Sequence, residues 1–253
     1  MTFGRPNDVI NNEWLEEYRT LRGHIWAEIV QINGCLFVIR RVDSFPFRIF
    51  APYRETPPFW QLVQVTFYET AILTMWKILF DKSNALNLFG FKNKLRANLK
   101  ESSRPKFDSS LKSVGVEKAL RSACSRFTKF RHSVIAHTAR DWLHPTPEEL
   151  QDRRFGWREL KQYCQQTNQF FSLLCLGETL APLHADYFLS ETTDERSTDI
   201  DQLLSEIARK SASLDLPERS PQAWEELKRR LSSAELDQFD LYRKQFRTGA
   251  GEL

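Results

Sequence analysis

The spacing of apolar residues predicts helices along almost the whole chain. From Trp14 to Ile39, apolar side chains recur at steps of three and four, which is the period of one helix face. Residues 44–58 contain four prolines and predict a loop. The helix predicted after it, up to about Asp81, is apolar on most sides, as is typical of a central bundle helix. Only residues 35–42 also fit a strand, so the pattern predicts an all-α fold.

The rest of the chain follows the same helical period until its composition changes near residue 190. The expected order is a short basic helix at 84–99, a polar connection at 101–110, a longer helix that starts at Leu111 or nearer Val116 and runs to 139, and another at 147–180. Three further helices are expected near 200–207, 221–231 and 234–246. We therefore expect a helical bundle over residues 8–185 and a charged C-terminal helical extension over residues 190–253.

Charge is distributed unevenly along the chain. Residues 82–131 contain 13 basic and three acidic residues, whereas residues 190–253 contain 14 acidic and 10 basic ones. A local positive field of this kind favours a polyanionic partner, nucleic acid first, although solvated helix faces are the alternative interpretation. The candidate nucleic-acid-binding residues in the basic stretch are Lys92, Lys94, Arg96, Arg121, Arg126 and Lys129.

Residues 130–137 carry the chemistry that stands out most. Arg131 offers a planar, permanently charged fork for phosphate, and His132 and His137 offer imidazoles that exchange protons near neutral pH. These groups suit phosphodiester cleavage. Arg131 and His137 are six residues apart, so on one ideal helix they point about 120° apart. A shared pocket then needs a bent helix or two copies of it around a twofold axis. In the structural alternative, His137 is a core histidine and Arg131 extends to solvent.

The segment 130–137 resembles the signature of HEPN proteins, in which an arginine and a polar residue are followed, late in a helical bundle, by a histidine. Here His132 is the polar residue, five residues separate Arg131 from His137, and the Ile-Ala-His ending is typical of that family. Residues 76–82, followed by 86–88, resemble the abortive-infection (U-type Abi) branch. The resemblance covers roughly residues 8–180.

The resemblance implies a HEPN-like helical bundle, often a homodimer, with metal-independent endoribonuclease activity in phage defence or in a toxin–antitoxin system. It implies Arg131 and His137 as the catalytic pair and His132 as the polar position. Asp81 either orients a histidine or caps the local structure. The alternative is a non-catalytic module that binds RNA or a partner, with residues 190–253 contacting an antitoxin or another defence protein. A helical scaffold without nucleic acid is a third interpretation.

Other site classes have little support in the sequence. The five histidines lie in no recognised zinc spacing, so we expect neither a metal nor another cofactor. The four cysteines form no Cys-x-x-Cys pair, and no secretory signal or membrane-length apolar run is evident. We therefore expect a cytoplasmic protein with reduced thiols and no membrane contact.

Overall fold

The computed structural model describes residues 5–50, 58–81, 87–132, 155–178 and 199–248, and these ranges are helical almost throughout. The described ranges contain no strand, although Ile10 and Leu99 form an isolated antiparallel β-bridge. The predicted all-α fold class is confirmed.

Thirteen α-helices lie within the described ranges. They are α1 (Pro6–Val9), α2 (Leu15–Ser44), α3 (Phe47–Phe50), α4 (Pro58–Phe80), α5 (Leu88–Asn98), α6 (Arg104–Val114), α7 (Val116–Ser122), α8 (Cys124–Phe130), α9 (Trp157–Leu174), α10 (Asp199–Arg209), α11 (Leu216–Arg219), α12 (Pro221–Lys228) and α13 (Ser233–Thr248). Short 3₁₀ turns precede α2, α6 and α11.

The chain divides into two compact units that each contain segments distant in sequence. The first unit comprises residues 1–36 and 69–190, and the second comprises residues 37–68 and 191–253. The predicted boundaries, 8–185 and 190–253, differ from this division because residues 37–68 belong with the C-terminal helices. The physical reason is that the aromatic rings of residues 45–50 pack on those of Phe239 and Tyr242. The hydropathy pattern of a segment shows that it has apolar residues to bury, but not which distant segment they pack against.

The first unit is built around α2 and α9. The Tyr18 ring stacks on Phe91 with centroids 5.8 Å apart, and the Tyr18 hydroxyl donates to the Leu174 carbonyl at 3.1 Å. Further along the two helices, the buried Asn33 and Asn168 amides bond to each other in both directions, at 3.1 and 3.2 Å. Helix α9 also packs against α5, α6 and α7. These contacts fix helices that precede and follow the candidate site in the chain.

The second unit has an aromatic core. The Phe45 and Phe50 rings lie 5.7 and 5.9 Å from the ring of Tyr242, and Phe50 also lies 6.0 Å from Phe239. Helix α10 packs against α13 in the same unit. The C-terminal helices therefore have their own core with residues 45–50.

Several predicted boundaries need correction. The predicted connection at 101–110 is mostly helix α6, because Pro105 lies in the first turn, where its missing N–H has no intrahelical partner to lose. Of the two predicted starts of the next helix, Val116 is the first residue of α7, because Gly115 with its φ of 67° ends α6 in the left-handed conformation. The predicted helix is further divided at Ala123, between α7 and α8. Residues 35–42 lie inside α2 and are not a strand.

Candidate functional site

Arg131 and His132 lie at the carboxyl end of α8. They extend the helix as a π-helical turn, directly after the buried Phe130. The rings of Phe127 and Phe130 lie 4.5 and 5.9 Å from the ring of Phe155, which precedes α9. This packing fixes the end of α8 and therefore the backbone from which both candidate side chains project.

The Arg131 guanidinium lies over the indole of Trp76, with its central carbon 4.1 Å from the ring centroid. The indole is held in turn, because Trp76 Nε1 donates to Thr128 Oγ1 at 3.3 Å. A stacked guanidinium keeps its N–H donors at the edge of its plane, and the cation–π contact contributes about 0.5–2 kcal/mol. Arg131 is thus a preoriented cation. The sequence offers two roles for it, binding phosphate or extending to solvent, and the structure adds a third, packing on Trp76.

Of the two histidines in residues 130–137, His132 is among the described residues and His137 is not. His132 is exposed and adjoins Arg131 in the chain. His137 lies outside the described residues, so the pairing of Arg131 with His137 stays a prediction. Asp81 lies at the end of α4, where its main-chain carbonyl accepts a hydrogen bond from Asn87 Nδ2 at 3.2 Å. The Asn87 Oδ1 caps α5 by accepting from Gly90 N, so the Asp81 backbone belongs to the structural element that starts α5.

Lys92 and Arg121 bind the same carboxylate. Lys92 Nζ donates to Glu117 Oε1 at 2.8 Å, and Arg121 Nη2 donates to that oxygen at the same distance. Burial opposes ionisation of Glu117, yet these hydrogen bonds hold the pKa of its carboxyl below the ordinary value. The Arg121 guanidinium also lies 4.0 Å from the centroid of the Phe89 ring. Two predicted phosphate-binding cations therefore share one anion within the fold.

Three more of the predicted cations have carboxylate partners. Lys94 bonds to Glu17 at 3.1 Å, Arg96 bonds to both carboxylate oxygens of Asp108 at 2.7 and 2.8 Å, and Arg126 pairs with Glu159. The Arg96 hydrogen bond lowers the pKa of the Asp108 carboxyl. Lys129 is exposed on α8. Because Glu17 and Glu159 lie outside residues 82–131 and pair with Lys94 and Arg126, the basic stretch presents a weaker positive field than its own composition indicates.

The sequence reasoning missed the side chains that hold the cations in place. Trp76 is part of the segment compared with the abortive-infection branch, but nothing in that segment indicates its stack with Arg131. Glu159 is 33 residues from Arg126, and Glu117 is four residues from Arg121, a spacing that does indicate a helical ion pair. The second pair was predictable from the sequence, and the first requires the tertiary fold.

Within the described ranges, no group of three or more His, Cys, Asp and Glu side chains is arranged to hold a metal ion. All four cysteines are free, and burial raises the pKa of the Cys35 thiol to about 11 and that of Cys175 to about 12. None of the helices in the described part of the chain has the length and apolar character needed to cross a membrane.

Comparison of the chain with protein-family models, with curated proteins and with solved structures gives no match. The chemistry of the residues themselves and the resemblance of residues 130–137 are therefore what supports a function.

Proposed function

We propose that the protein is a metal-independent endoribonuclease of the HEPN type, acting as a homodimer in phage defence or in a toxin–antitoxin system. The observation that carries the proposal is the Arg131 guanidinium held over Trp76, next to the exposed His132. A phosphate-binding cation is most effective when it is oriented before the substrate arrives, since reorganisation then costs little during the reaction. The resemblance of residues 130–137 supplies the type of reaction.

In this reaction the ribose 2′-oxygen attacks the adjacent 3′-phosphate. A bond forms from the 2′-oxygen to phosphorus, the bond from phosphorus to the 5′-oxygen breaks, and a 2′,3′-cyclic phosphate remains. A histidine accepts the proton of the 2′-hydroxyl, and the imidazolium of a histidine donates a proton to the departing 5′-oxygen. Arg131 stabilises the negative charge that develops on the phosphoryl oxygens. His137 is the partner proposed for proton transfer, and His132 contacts the same phosphate.

The test is RNA cleavage in the presence of EDTA, with analysis of the product ends. Wild type is expected to leave 2′,3′-cyclic phosphates, and His137→Ala should lower the rate by roughly 10²–10⁴. Arg131→Ala should lower it by roughly 10²–10³. Arg19→Ala is the matched control because Arg19 is an exposed arginine on α2 whose carboxylate partner is three residues away. Cleavage that needs a divalent metal, or that both motif variants retain, would refute the nuclease proposal.

A second candidate is a non-catalytic module that binds RNA or a protein partner. One observation, the pairing of Lys92, Lys94, Arg96, Arg121 and Arg126 with carboxylates of the described residues, favours its protein-binding form, because compensated cations attract RNA less strongly. In its RNA-binding form, this candidate predicts salt-sensitive RNA binding that survives His137→Ala and yields no products. Residues 190–253 are then the proposed contact with an antitoxin or another defence protein.

A further inference from the structure

Trp157, the first residue of α9, is 38% exposed, more than any other described tryptophan. Within the described part of the chain its indole makes no ring contact, cation–π contact or side-chain hydrogen bond. The exposed part of the indole therefore offers apolar ring surface and an N–H donor to a ligand.

Positive charge accompanies this indole on the first two turns of α9. Arg158 is exposed and makes no ion pair within the described residues, and Lys161 follows Trp157 by one helical turn. Glu159 is the one acidic residue among the residues 155–177, and its carboxylate is paired with Arg126. The start of α9 therefore combines an aromatic face with cations, and its single carboxylate is already compensated.

The start of α9 lies against the end of α8 that carries Arg131. Phe155 packs on Phe127 and Phe130, and the Arg126 guanidinium lies 4.6 Å from the centroid of the Phe155 ring. The residues that follow Phe130 are Arg131 and His132. Trp157 follows Phe155 by two residues, and the Phe155 ring packs on Phe130, the residue directly before Arg131.

We infer that Trp157 is a stacking platform for an unpaired base of single-stranded RNA, with Arg158 contacting the phosphate backbone beside it. This inference rests on the proposed function and names its substrate class. An indole face stacks on any base that is not already stacked in a duplex, whereas A-form duplexes keep their bases inside the helix. The site thus discriminates by strandedness and not by sequence.

The experiment measures binding without cleavage. The probe is a fluorescein-labelled 12-nucleotide oligouridine with 2′-O-methyl groups, which lacks the attacking hydroxyl, and it is compared with a 2′-O-methyl duplex of equal length. Binding is followed by fluorescence anisotropy. Trp157→Ala should weaken single-strand binding roughly 5- to 150-fold and leave duplex binding within about twofold, since the loss corresponds to one stacked base. Trp157→Phe retains an aromatic face and should keep most of the affinity.

The control is Phe59→Ala, which removes an exposed aromatic ring from α4, where Phe59 is 61% exposed. It should leave single-strand binding unchanged. Unchanged affinity in Trp157→Ala, or an equal loss for single strand and duplex, overturns the inference. Trp157→Ala that alters self-association or partner binding but not RNA affinity assigns Trp157 to a protein interface and also overturns it. Stacking at Trp157 together with an absence of EDTA-resistant cleavage refutes the nuclease and leaves this inference standing.

Discussion

The buried amide pair of Asn33 and Asn168 is expected to behave as one energetic unit. The Asn33 side chain donates to the Ile29 carbonyl at 2.7 Å, exchanges two hydrogen bonds with Asn168 and accepts from the Cys164 thiol at 3.4 Å. Asn33 is completely buried and Asn168 is 4% exposed. Water therefore has no access to either amide if its partner is removed.

The expected loss in the free energy of unfolding depends on which buried polar groups each substitution leaves without a hydrogen-bond partner. Asn33→Leu removes one amide and leaves the donor and the acceptor of Asn168 buried without a partner, at about 1–3 kcal/mol for each unsatisfied group. Part of this cost is offset because leucine adds apolar surface of similar size, so we expect a net loss of about 3 kcal/mol in the free energy of unfolding. Asn168→Leu should cost less, because Asn33 still donates to the Ile29 carbonyl and accepts from the Cys164 thiol. The double variant removes both amides and should lose less than the sum of the two single variants.

Urea denaturation, followed by circular dichroism, measures these free energies. Gln169→Leu is the matched control, because it makes the same replacement at the next, exposed position of α9, and it should change stability by no more than about 0.5 kcal/mol. Losses that add in the double variant to within about 0.5 kcal/mol would show that the amides are independent and would refute the argument.

Three further predictions concern pH, a buried hydroxyl and a helix cap. The pKa of Glu117 is lowered in the folded protein from its ordinary 4.5, so its stabilising contribution is present above that value and is lost as the pH falls through the lower folded value. Urea midpoints between about pH 6 and 3 should therefore decrease more in wild type than in Glu117→Gln, and equal decreases would contradict the assignment. Tyr18→Phe removes the donor to the buried Leu174 carbonyl and should cost about 1–2 kcal/mol in thermal unfolding, whereas unchanged stability would show that this bond contributes nothing. Asn87→Ala removes the side chain that accepts from Gly90 N and should cost about 1 kcal/mol, with Asn87→Ser restoring most of it.

The helical period was sufficient to predict the long elements, because each buries a continuous apolar stripe. The helix predicted after Pro57-Pro58 to about Asp81 corresponds to α4. The helix predicted over 147–180 is, in the described residues, limited to Trp157–Leu174, because Gly156 before it is extended. Pro105 in a polar segment predicts a connection, but proline is also common in the first turn of a helix, which is where Pro105 lies. Local sequence does not decide between those two roles.

The sequence predicts which residue types form the candidate site, but not the side chains that surround them in the fold. The sequence indicated Arg131 as a phosphate-binding cation, and the structure adds its stack on Trp76, 55 residues earlier in the chain. A charge count over residues 82–131 omits Glu17 and Glu159, which compensate Lys94 and Arg126 from distant segments. Charge compensation of this kind depends on tertiary packing, so composition overestimates the field.

The unequal burial of the four thiols gives the protein a natural position for site-specific labelling. Cys124 on α8 is half-buried, and its Sγ lies 4.0 Å from the Thr128 hydroxyl that accepts the indole N–H of Trp76. The other three thiols are buried, namely Cys35, Cys164 and Cys175. A maleimide should therefore modify Cys124 first, since access and thiolate formation both limit buried cysteines. A dye placed there would report on the stack of Arg131 and Trp76 without any engineered cysteine, and peptide mapping after brief labelling would show whether another thiol reacts as fast.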